Sequence, residues 1–223
     1  MNILIFGATG MVGQSVLREC LNANDVERVV AVGRTPTDTE HPRLSNVVVA
    51  DLTNLQAVAA QLSPFDACFF CLGVSSVGMS EAAYTQITHD LTMSVAKVLV
   101  QANPSMTFVY VTGAGADSTE RGKSMWARVK GKTENDLIRL GFKAAYMFRP
   151  GIILPLHSVR SKTAVYRIAY TAAKPVFWLM QRLTPQWVVT SVQVGQAMLS
   201  VARSGYVRPV LEITDIQVAA NTG

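Results

Sequence analysis

ILIFGATGMVGQSVL, residues 3–17, is an apolar run that breaks into three glycines and then resumes with a different spacing. Before the glycines the residues are apolar without alternation, which is typical of a strand buried on both faces. After them, apolar residues recur at the spacing of one helix face, at Met11, Val12, Val16, Leu17 and Cys20. The stretch therefore predicts a strand over residues 2–6, a tight turn, and a helix that runs to about Leu21.

The three glycines lie three residues apart and suggest what the turn holds. A strand that turns sharply into a helix leaves backbone N–H groups unpaired, and the helix dipole favours an anion there. Gly7 would permit the tight turn, Gly10 would let a pyrophosphate approach the backbone, and Gly13 would let the helix pack close to the sheet. We therefore predict a dinucleotide site in this turn, which comprises Gly7, Thr9, Gly10, Met11, Val12 and Gly13. The alternative is a tight βα turn without a ligand.

The rest of the chain continues the alternation of strands and helices. Strands are predicted over 28–33, 46–52, 66–73, 107–113, 143–151 and 209–214, and helices over 54–62, 81–102, 124–140, 161–183 and 191–203. Strands that are apolar on both faces and alternate with helices predict an α/β fold, a doubly wound parallel sheet of six or seven strands. We expect a single domain over 1–223, with a dinucleotide-binding core over 1–151 and a small, partly helical C-terminal substrate or interaction part over 152–223.

Composition narrows the class of protein. The chain has 223 residues, of which 49% are hydrophobic, so a sizeable core is expected. Three cysteines fit a reducing compartment, and no secretory signal segment precedes the first strand, which begins directly after Met1; together these features predict a cytoplasmic protein. Cys68 and Cys71 form a C-x-x-C pair, for which a redox or zinc role is the alternative to two buried thiols. No metal site is predicted.

Charge is unevenly distributed along the chain. The net charge is +5, but residues 1–110 carry −4 and residues 111–223 carry +9. A basic half suggests an anionic ligand or surface partner, or simply a solvated basic face. No nucleic-acid-binding signature is present, and no transmembrane segment is expected, because charged residues interrupt the apolar stretch over 161–183. That stretch is expected to pack on the domain or in a homodimer, with an interfacial amphipathic helix as the alternative. The helix over 81–102 could also pair across a dimer.

The end of the second strand predicts which dinucleotide is bound. An acidic residue there would accept from a ribose 2′-hydroxyl and select NAD. This chain has Gly33-Arg34 instead, and the next carboxylate is Asp38. Because a guanidinium matches a 2′-phosphate, the sequence predicts NADP(H).

Two further strand ends supply candidate contacts. Asp51 and Leu52 are predicted to close the third strand, where a carboxylate could accept from the adenine amino group and Leu52 could lie beside the ring. Leu72, Gly73 and Val74 are predicted to close the fourth strand, where a small residue would let the backbone pass along the adenosine ribose. Ligands bind at the carboxyl ends of strands in open parallel sheets.

These residues, in this order, resemble the short-chain dehydrogenase/reductase superfamily. The chain is most similar to its atypical branch of small NAD(P)H-binding proteins, which includes the Tat-interactive proteins and is related to NAD-dependent epimerases and dehydratases. The shared motifs are GATGMVG, VGR, DL, FFCLG, GAD, VKGKTE and FRPG, over about residues 1–155. The resemblance implies that Pro150, Gly151 and Ile152 contact the nicotinamide end of the cofactor.

The resemblance also implies a catalytic pattern that this chain only partly matches. Active members use Tyr-x-x-x-Lys on the helix after the fifth strand, and a Ser or Thr hydroxyl steadies the carbonyl. In the matching stretch WARVK, Lys130 is present but Trp126 replaces the tyrosine, and an indole N–H has no proton to give at ordinary pH. Thr112 is the candidate hydroxyl. The catalytic candidates are therefore Thr112 and Lys130, with Lys130 also predicted to hold the cofactor ribose.

Three functions remain open from the sequence. One is an NADP(H)-dependent oxidoreductase whose proton comes from Thr112, water or the loop 114–123. The others are a non-catalytic NADP(H) redox sensor that acts on a partner, and an interaction or membrane-surface protein. His89 is a lone alternative acid, and YTAAK, residues 170–174, matches Tyr-x-x-x-Lys by chance spacing. Substrate walls are expected from residues 74–80, 114–123 and 154–190.

Overall fold

The computed structural model describes residues 1–156 and 187–222, and in these residues seven parallel strands form one sheet. The strands of the chain are β1 (Asn2–Phe6), β2 (Arg28–Gly33), β3 (Leu44–Val48), β4 (Ala67–Phe70), β5 (Thr107–Val111), β6 (Ala144–Phe148), β7 (Ile152–Leu154), β8 (Val188–Thr190) and β9 (Val210–Leu211). The main sheet has the order β3-β2-β1-β4-β5-β6-β9, and β7 pairs with β8 alone. The predicted α/β, doubly wound, Rossmann-like sheet is confirmed.

The helices follow the predicted alternation. They are α1 (Met11–Asn22), α2 (Glu81–Thr85), α3 (Leu91–Ala102), α4 (Met125–Arg139), α5 (Ser191–Ser204) and α6 (Ile213–Ala220). A 3₁₀ helix spans Gln56–Leu62, and a π-helical turn over Gln86–Asp90 joins α2 to α3. The predicted helix over 81–102 is thus one run with a π insertion.

Both faces of the sheet are buried, as the apolar strands predict. Along β1, Ile3 and Ile5 point to the layer formed by α1, α5 and α6, while Leu4 and Phe6 point to the layer formed by α3 and α4. All four side chains are fully buried. Because successive strand residues face opposite sides, an unbroken apolar strand requires cover on both.

The C-terminal helix α5 packs against α1 on the first of these layers. A Cβ on Gly195 would lie 2.8 Å from Cγ of Glu19 and 3.3 Å from Cα of Val16, so the two helices approach closely at this glycine. The hydroxyl of Ser15 donates to that of Ser191 across the same contact at 2.7 Å. Residues far apart in sequence therefore fix the helix that carries the glycine turn.

Several element ends differ from their predicted positions. Strand β3 ends at Val48, not at Leu52, because the Asp51 carboxylate accepts from the backbone and hydroxyl of Thr53 and forms a local turn. The predicted strand over 209–214 ends at Leu211, because Glu212 begins a reciprocal cap with Asp215 that starts α6. Local side-chain hydrogen bonds compete with the strand in both cases.

Two elements have no counterpart in the sequence prediction. The small sheet of β7 and β8 pairs Ile152–Leu154 with Val188–Thr190, two short segments distant in sequence.

The predictions for 161–183 and for YTAAK lie outside the described residues. Among the helices that are described, none has both the length and the apolar character needed to cross a bilayer.

Candidate functional site

The site lies where the chain leaves β1 and β4, two neighbouring strands whose connections run to opposite sides of the sheet. Ligands of open parallel sheets bind at such a reversal of strand order. Gly7 has φ +81°, and a Cβ at this position would lie 2.9 Å from the carbonyl carbon of Cys71 and from the nitrogen of Leu72. The turn after β1 therefore contacts the end of β4 and requires a glycine.

The other two glycines differ in what surrounds them. A Cβ on Gly13 would lie 2.1 Å from the carbonyl oxygen of Gly7, so this helix position cannot carry a side chain without moving the turn. A Cβ on Gly10 would meet only that same oxygen within 4 Å, at 3.3 Å, and is otherwise open. Gly10 is the N-cap of α1 and offers no side-chain hydrogen bond, so the first N–H groups of this helix, at Met11 and Val12, receive no side-chain cap from it.

A groove of about 350 Å³ opens beside this turn. It brings together five residues predicted from the sequence: Gly7, Thr9, Arg34, Leu52 and Leu72. It also includes residues that the sequence analysis did not name as contacts, namely Ala8, Ala31, Val32, Gly33, Thr35 and Thr37. For Thr35 and Thr37, the sequence signal is a pair of hydroxyl residues soon after the end of β2.

Arg34 supplies the positive charge of the groove. Its side chain is exposed, and within residues 1–156 and 187–222 it forms no ion pair. The loop that follows is ordered by Asn46, whose side-chain oxygen accepts from the backbone N–H of Thr37 at 2.9 Å and from its hydroxyl at 3.1 Å. An unpaired guanidinium beside hydroxyls suits a phosphate.

The other residues predicted to contact the adenosine differ in whether they line the groove. Leu52 is 6% exposed and lines the groove, whereas Asp51 is exposed and its carboxylate is held by Thr53, which lowers its pKa. Asp51 does not line the groove. Gly73 has nothing within 4 Å of an added Cβ, and Val74 is half exposed, so the backbone after β4 is open to a ligand.

Lys130 and Thr112 are brought together at the end of β5. The Nζ of Lys130, on α4, donates to the carbonyl oxygen of Thr112 at 2.8 Å. The hydroxyl of Thr112 is buried and has no hydrogen-bond partner in the described part of the chain. Burial lowers the pKa of Lys130 to about 8, although the charge of Glu134 acts in the opposite direction.

Trp126 lies one turn before Lys130 on α4 and covers the loop after β5. The tip of its indole ring would be 3.4 Å from a Cβ on Gly115, which has φ +88°. Close by, the carbonyl of Pro150 accepts from the N–H of Ala114 at 2.9 Å, which joins the ends of β5 and β6. Gly151 faces the carbonyl of Trp187, 2.7 Å from where its Cβ would be, and Ile152 is 37% exposed.

Two structural elements around the site were missed by sequence reasoning. Asp117 orders the loop 114–123, since its carboxylate accepts from the N–H groups of Thr119, Arg121 and Gly122 and from the Thr119 hydroxyl; these bonds lower its pKa. The motif GAD was recognised, but its aspartate is a loop-forming residue.

The second missed element is a buried ion pair. Glu134 of α4 is fully buried and paired with Arg149, which also contacts Glu212 and the hydroxyl of Ser118. Arg149 belongs to the FRPG motif. Its guanidinium thus joins α4 to β6, to the start of α6 and to the loop before α4.

The cysteines do not form a ligand set. Cys68 and Cys71 are free thiols, and burial raises the pKa of Cys71 to about 12. No group of three potential metal ligands occurs among residues 1–156 and 187–222. Thiols with raised pKa values are poor nucleophiles and poor ligands, which favours the buried-thiol interpretation of the C-x-x-C pair.

The lowered pKa of Lys130 has a measurable consequence for stability. The unfolded chain holds the proton up to a pH of about 10.5, whereas the folded protein releases it near pH 8, so the free energy of unfolding should rise with pH between these values. Over this pH range we expect the unfolding free energy of wild type to rise by about 2 kcal/mol relative to that of Lys130→Met. Urea unfolding of both proteins at pH 7.5 and pH 10 measures it. Parallel pH profiles would contradict the assignment.

The residues present fit a nicotinamide dinucleotide. The first N–H groups of α1, which have no side-chain cap from Gly10, suit a diphosphate, Arg34 suits a phosphate at the adenosine end, and the orphaned hydroxyl of Thr112 suits an oxygen at the other end. The fold and the site together define a dinucleotide-binding protein of the Rossmann type.

The comparisons with known proteins agree. A family model described as NAD(P)H-binding matches residues 7–143. The chain belongs to this NAD(P)H-binding family and is an atypical short-chain dehydrogenase/reductase-like protein.

Three curated relatives illustrate its position in the family. The mitochondrial FMP52 protein of Kluyveromyces lactis is 31% identical over 69% of this chain and 68% of its own length. The mitochondrial protein fmp52-2 of Aspergillus terreus is 28% identical over 67% and 66%, and the HTATIP2 protein of Rattus norvegicus is 28% identical over 69% and 63%. The chain thus spans about two thirds of the length of these relatives, and slightly less for the last two.

Solved structures share the fold. The enzyme WbmF of Bordetella bronchiseptica, in complex with NAD+, has a TM-score of 0.65 at 15% identity, over 99% of this chain and 77% of that one. A short-chain dehydrogenase/reductase family oxidoreductase from Burkholderia thailandensis has a TM-score of 0.68 at 18% identity, over 98% and 92%.

The prediction of a cytoplasmic protein is wrong. The fungal relatives from Aspergillus terreus, Emericella nidulans, Kluyveromyces lactis and Debaryomyces hansenii are all named as mitochondrial. The prediction relied on the cysteine count and on the lack of a secretory signal segment before the first strand, and neither feature by itself identifies a compartment.

Proposed function

We propose that this protein is an NADP(H)-dependent reductase that transfers a hydride to a carbonyl substrate. The observation that carries the cofactor assignment is the exposed guanidinium of Arg34, which lines the groove at the β2 end and has no ion-pair partner within residues 1–156 and 187–222. No acidic side chain lines that groove. A carboxylate would be needed to select NAD through the 2′-hydroxyl, whereas a cation pairs with the additional phosphate.

The other end of the site supports carbonyl chemistry. A bound NADPH would supply the hydride. The chain itself offers a buried hydroxyl at Thr112, without a partner in the described residues, and a partly buried amine at Lys130, whose pKa of about 8 is low for a lysine. A hydroxyl in this position can hold a carbonyl oxygen, and groups with pKa values near neutrality are effective in proton transfer.

We expect wild-type protein to bind NADPH more tightly than NADH and to consume NADPH in the presence of a carbonyl compound. At 100 times the dissociation constant, NADPH should stabilise the fold by about 2.7 kcal/mol, which for a chain of this size raises Tm by about 5–10 °C. Thermal unfolding with NADPH and with NADH tests the cofactor preference. The loss of NADPH absorbance in the presence of 4-nitrobenzaldehyde or 9,10-phenanthrenequinone tests turnover. Equal stabilisation by NADH would remove the cofactor assignment.

A non-catalytic NADP(H) redox sensor is the second candidate, and Trp126 favours it. The indole occupies the helix position where active short-chain dehydrogenases carry the tyrosine, and it offers no acidic proton. A protein that binds NADPH tightly but reduces neither carbonyl compound would support this candidate over the reductase.

A further inference from the structure

Without a tyrosine at position 126, the substrate oxygen needs another source for its proton. Hydride addition to a carbonyl leaves an alkoxide, and a positioned acid that protonates it contributes substantially to the rate. Several titratable side chains lie in the elements around the site, and most of them are held by other partners.

His89 is already engaged elsewhere. Its Nδ1 and Nε2 each lie 2.8 Å from a carboxylate, that of Asp90 and that of Asp136. Asp136 also accepts from Lys132, whose side chain is exposed. On a helix, positions 130 and 132 point to different sides, so this cluster lies away from Lys130.

Other acids close to the site are also committed. The carboxylate of Asp117 accepts four hydrogen bonds within its own loop, and its lowered pKa keeps it ionised. Glu120 accepts from Asn135. Tyr84 is 2% exposed, and burial raises the pKa of its phenol. The two carboxylates are thus engaged in hydrogen bonds, and the phenol of Tyr84 is buried.

Lys130 differs from all of them. Its Nζ donates a hydrogen bond at 2.8 Å to the carbonyl oxygen of Thr112, the residue whose hydroxyl has no partner in the described part of the chain. Gly113 flanks the amine, and even an added Cβ there would be 3.8 Å from Nζ, so no side chain from this residue covers it. An ammonium group has three N–H donors, which leaves donors for a ligand oxygen.

The charges around Lys130 also suit proton donation. Burial at the end of the sheet destabilises the ammonium, and the charge of Glu134, a turn further along α4, counteracts this. The carboxylate of Glu134 is neutralised by Arg149. An ammonium with a pKa of about 8 is protonated at neutral pH, yet gives up its proton far more readily than an ordinary lysine.

We propose that the ammonium group of Lys130 is the proton donor to the substrate oxygen, and that the hydroxyl of Thr112 holds that oxygen by a hydrogen bond. This inference rests on the proposed reductase function and assigns to Lys130 the step for which Trp126 has no proton.

The carbonyl carbon accepts a hydride, with its two electrons, from the reduced nicotinamide, and the carbon–oxygen π bond becomes a lone pair on oxygen. One N–H bond of the Lys130 ammonium breaks and an O–H bond forms, which leaves an alcohol and a neutral amine. A solvent proton then restores the ammonium, so that each turnover consumes one hydride and one proton; where water supplies that proton, hydroxide is released to solvent.

Lys130→Arg separates proton donation from charge, because the guanidinium stays protonated at every accessible pH. With NADPH and the two carbonyl probes, we expect wild-type kcat to fall above a pH near 8. Lys130→Arg should lower kcat about 100-fold, remove that alkaline decline and largely keep NADPH binding. Lys132→Arg, two residues away on the same helix and exposed, is the matched control and should behave as wild type.

Two further measurements complete the test. Methylamine and stronger or weaker primary amines should restore turnover to Lys130→Ala in proportion to their acidity, which a merely positional role would not produce. In the protein without substrate, pH-dependent acetylation of Lys130, followed by mass spectrometry, should give an amine pKa near 8.

The failures are distinguishable. If wild type turns over and Lys130→Arg shows the same pH profile of kcat, Lys130 is not the proton donor. The absence of amine rescue in Lys130→Ala would contradict this role as well. Either result would leave the proposed reductase function unaffected. NADPH binding without any turnover by wild type would overturn the reductase itself, and the proton donor with it. An amine pKa near 10.5 in the labelling experiment would also count against Lys130.

Discussion

Gly13→Val is expected to destabilise the protein by about 3 kcal/mol or more and to abolish NADPH binding. A Cβ at this position would lie 2.1 Å from the Gly7 carbonyl oxygen and 2.9 Å from Cα of Ala8. Both are backbone atoms of the turn, so no side-chain rotation can relieve the contact, and α1 must move off the sheet. Urea unfolding measures the loss of stability, and isothermal titration with NADPH measures the loss of binding.

Two other glycines serve as controls for Gly13→Val. Gly73→Ala places its Cβ in open space and should leave stability unchanged. Gly10→Ala meets only the Gly7 oxygen, at 3.3 Å, so the fold should survive while NADPH affinity falls, because the methyl group narrows the approach to the helix N-terminus. If Gly13→Val unfolds at the wild-type urea concentration, the packing of α1 against the turn is not as described.

Arg34→Asp is expected to lower NADPH affinity about 100-fold, since charge-assisted contacts to a phosphate contribute about 1.5–3 kcal/mol and the new carboxylate repels it. NADH affinity should stay the same or rise, because the carboxylate can accept from a 2′-hydroxyl. Titration calorimetry with both nucleotides gives the ratio of NADPH affinity to NADH affinity directly. The ratio should fall also in Arg34→Ala, by a smaller factor.

The matched control for Arg34→Asp is Arg18→Asp, an identical charge change at an exposed position further along α1. If the net charge of the protein alone attracted NADPH, both variants would lose affinity to the same degree. An unchanged NADPH-to-NADH ratio in Arg34→Asp would show that the guanidinium does not read the 2′-phosphate.

Much of the site was predictable because its residues act through short-range geometry. A glycine needed at φ +81° or next to a backbone oxygen leaves its mark at a fixed position after a strand, so Gly7 and Gly13 could be identified from spacing alone. The same holds for Arg34, since the end of β2 was placed correctly at Gly33. The predicted NADP(H) preference and the division at residue 151 remain predictions.

Other features depended on partners that local patterns cannot reveal. Asp51 was predicted as a strand end, but Thr53 draws its carboxylate into a turn. The pairing of β7 with β8 joins segments separated in sequence by residues 155–187. Each strand has only three residues, too few for an alternation of apolar and polar residues to be recognised. Sequence spacing likewise gave no reason to pair Glu134 with Arg149.

The sequence by itself determined the parallel sheet, the glycine turn and the cation at the end of β2, because burial on both strand faces and backbone sterics act over a few neighbouring residues. Only the tertiary structure decided that the Lys130 amine lies against the Thr112 carbonyl, that the Thr112 hydroxyl has no partner among the described residues, and that Glu134 is buried with Arg149. These properties follow from desolvation and from contacts between separate strands and helices, which arise only when the chain has folded.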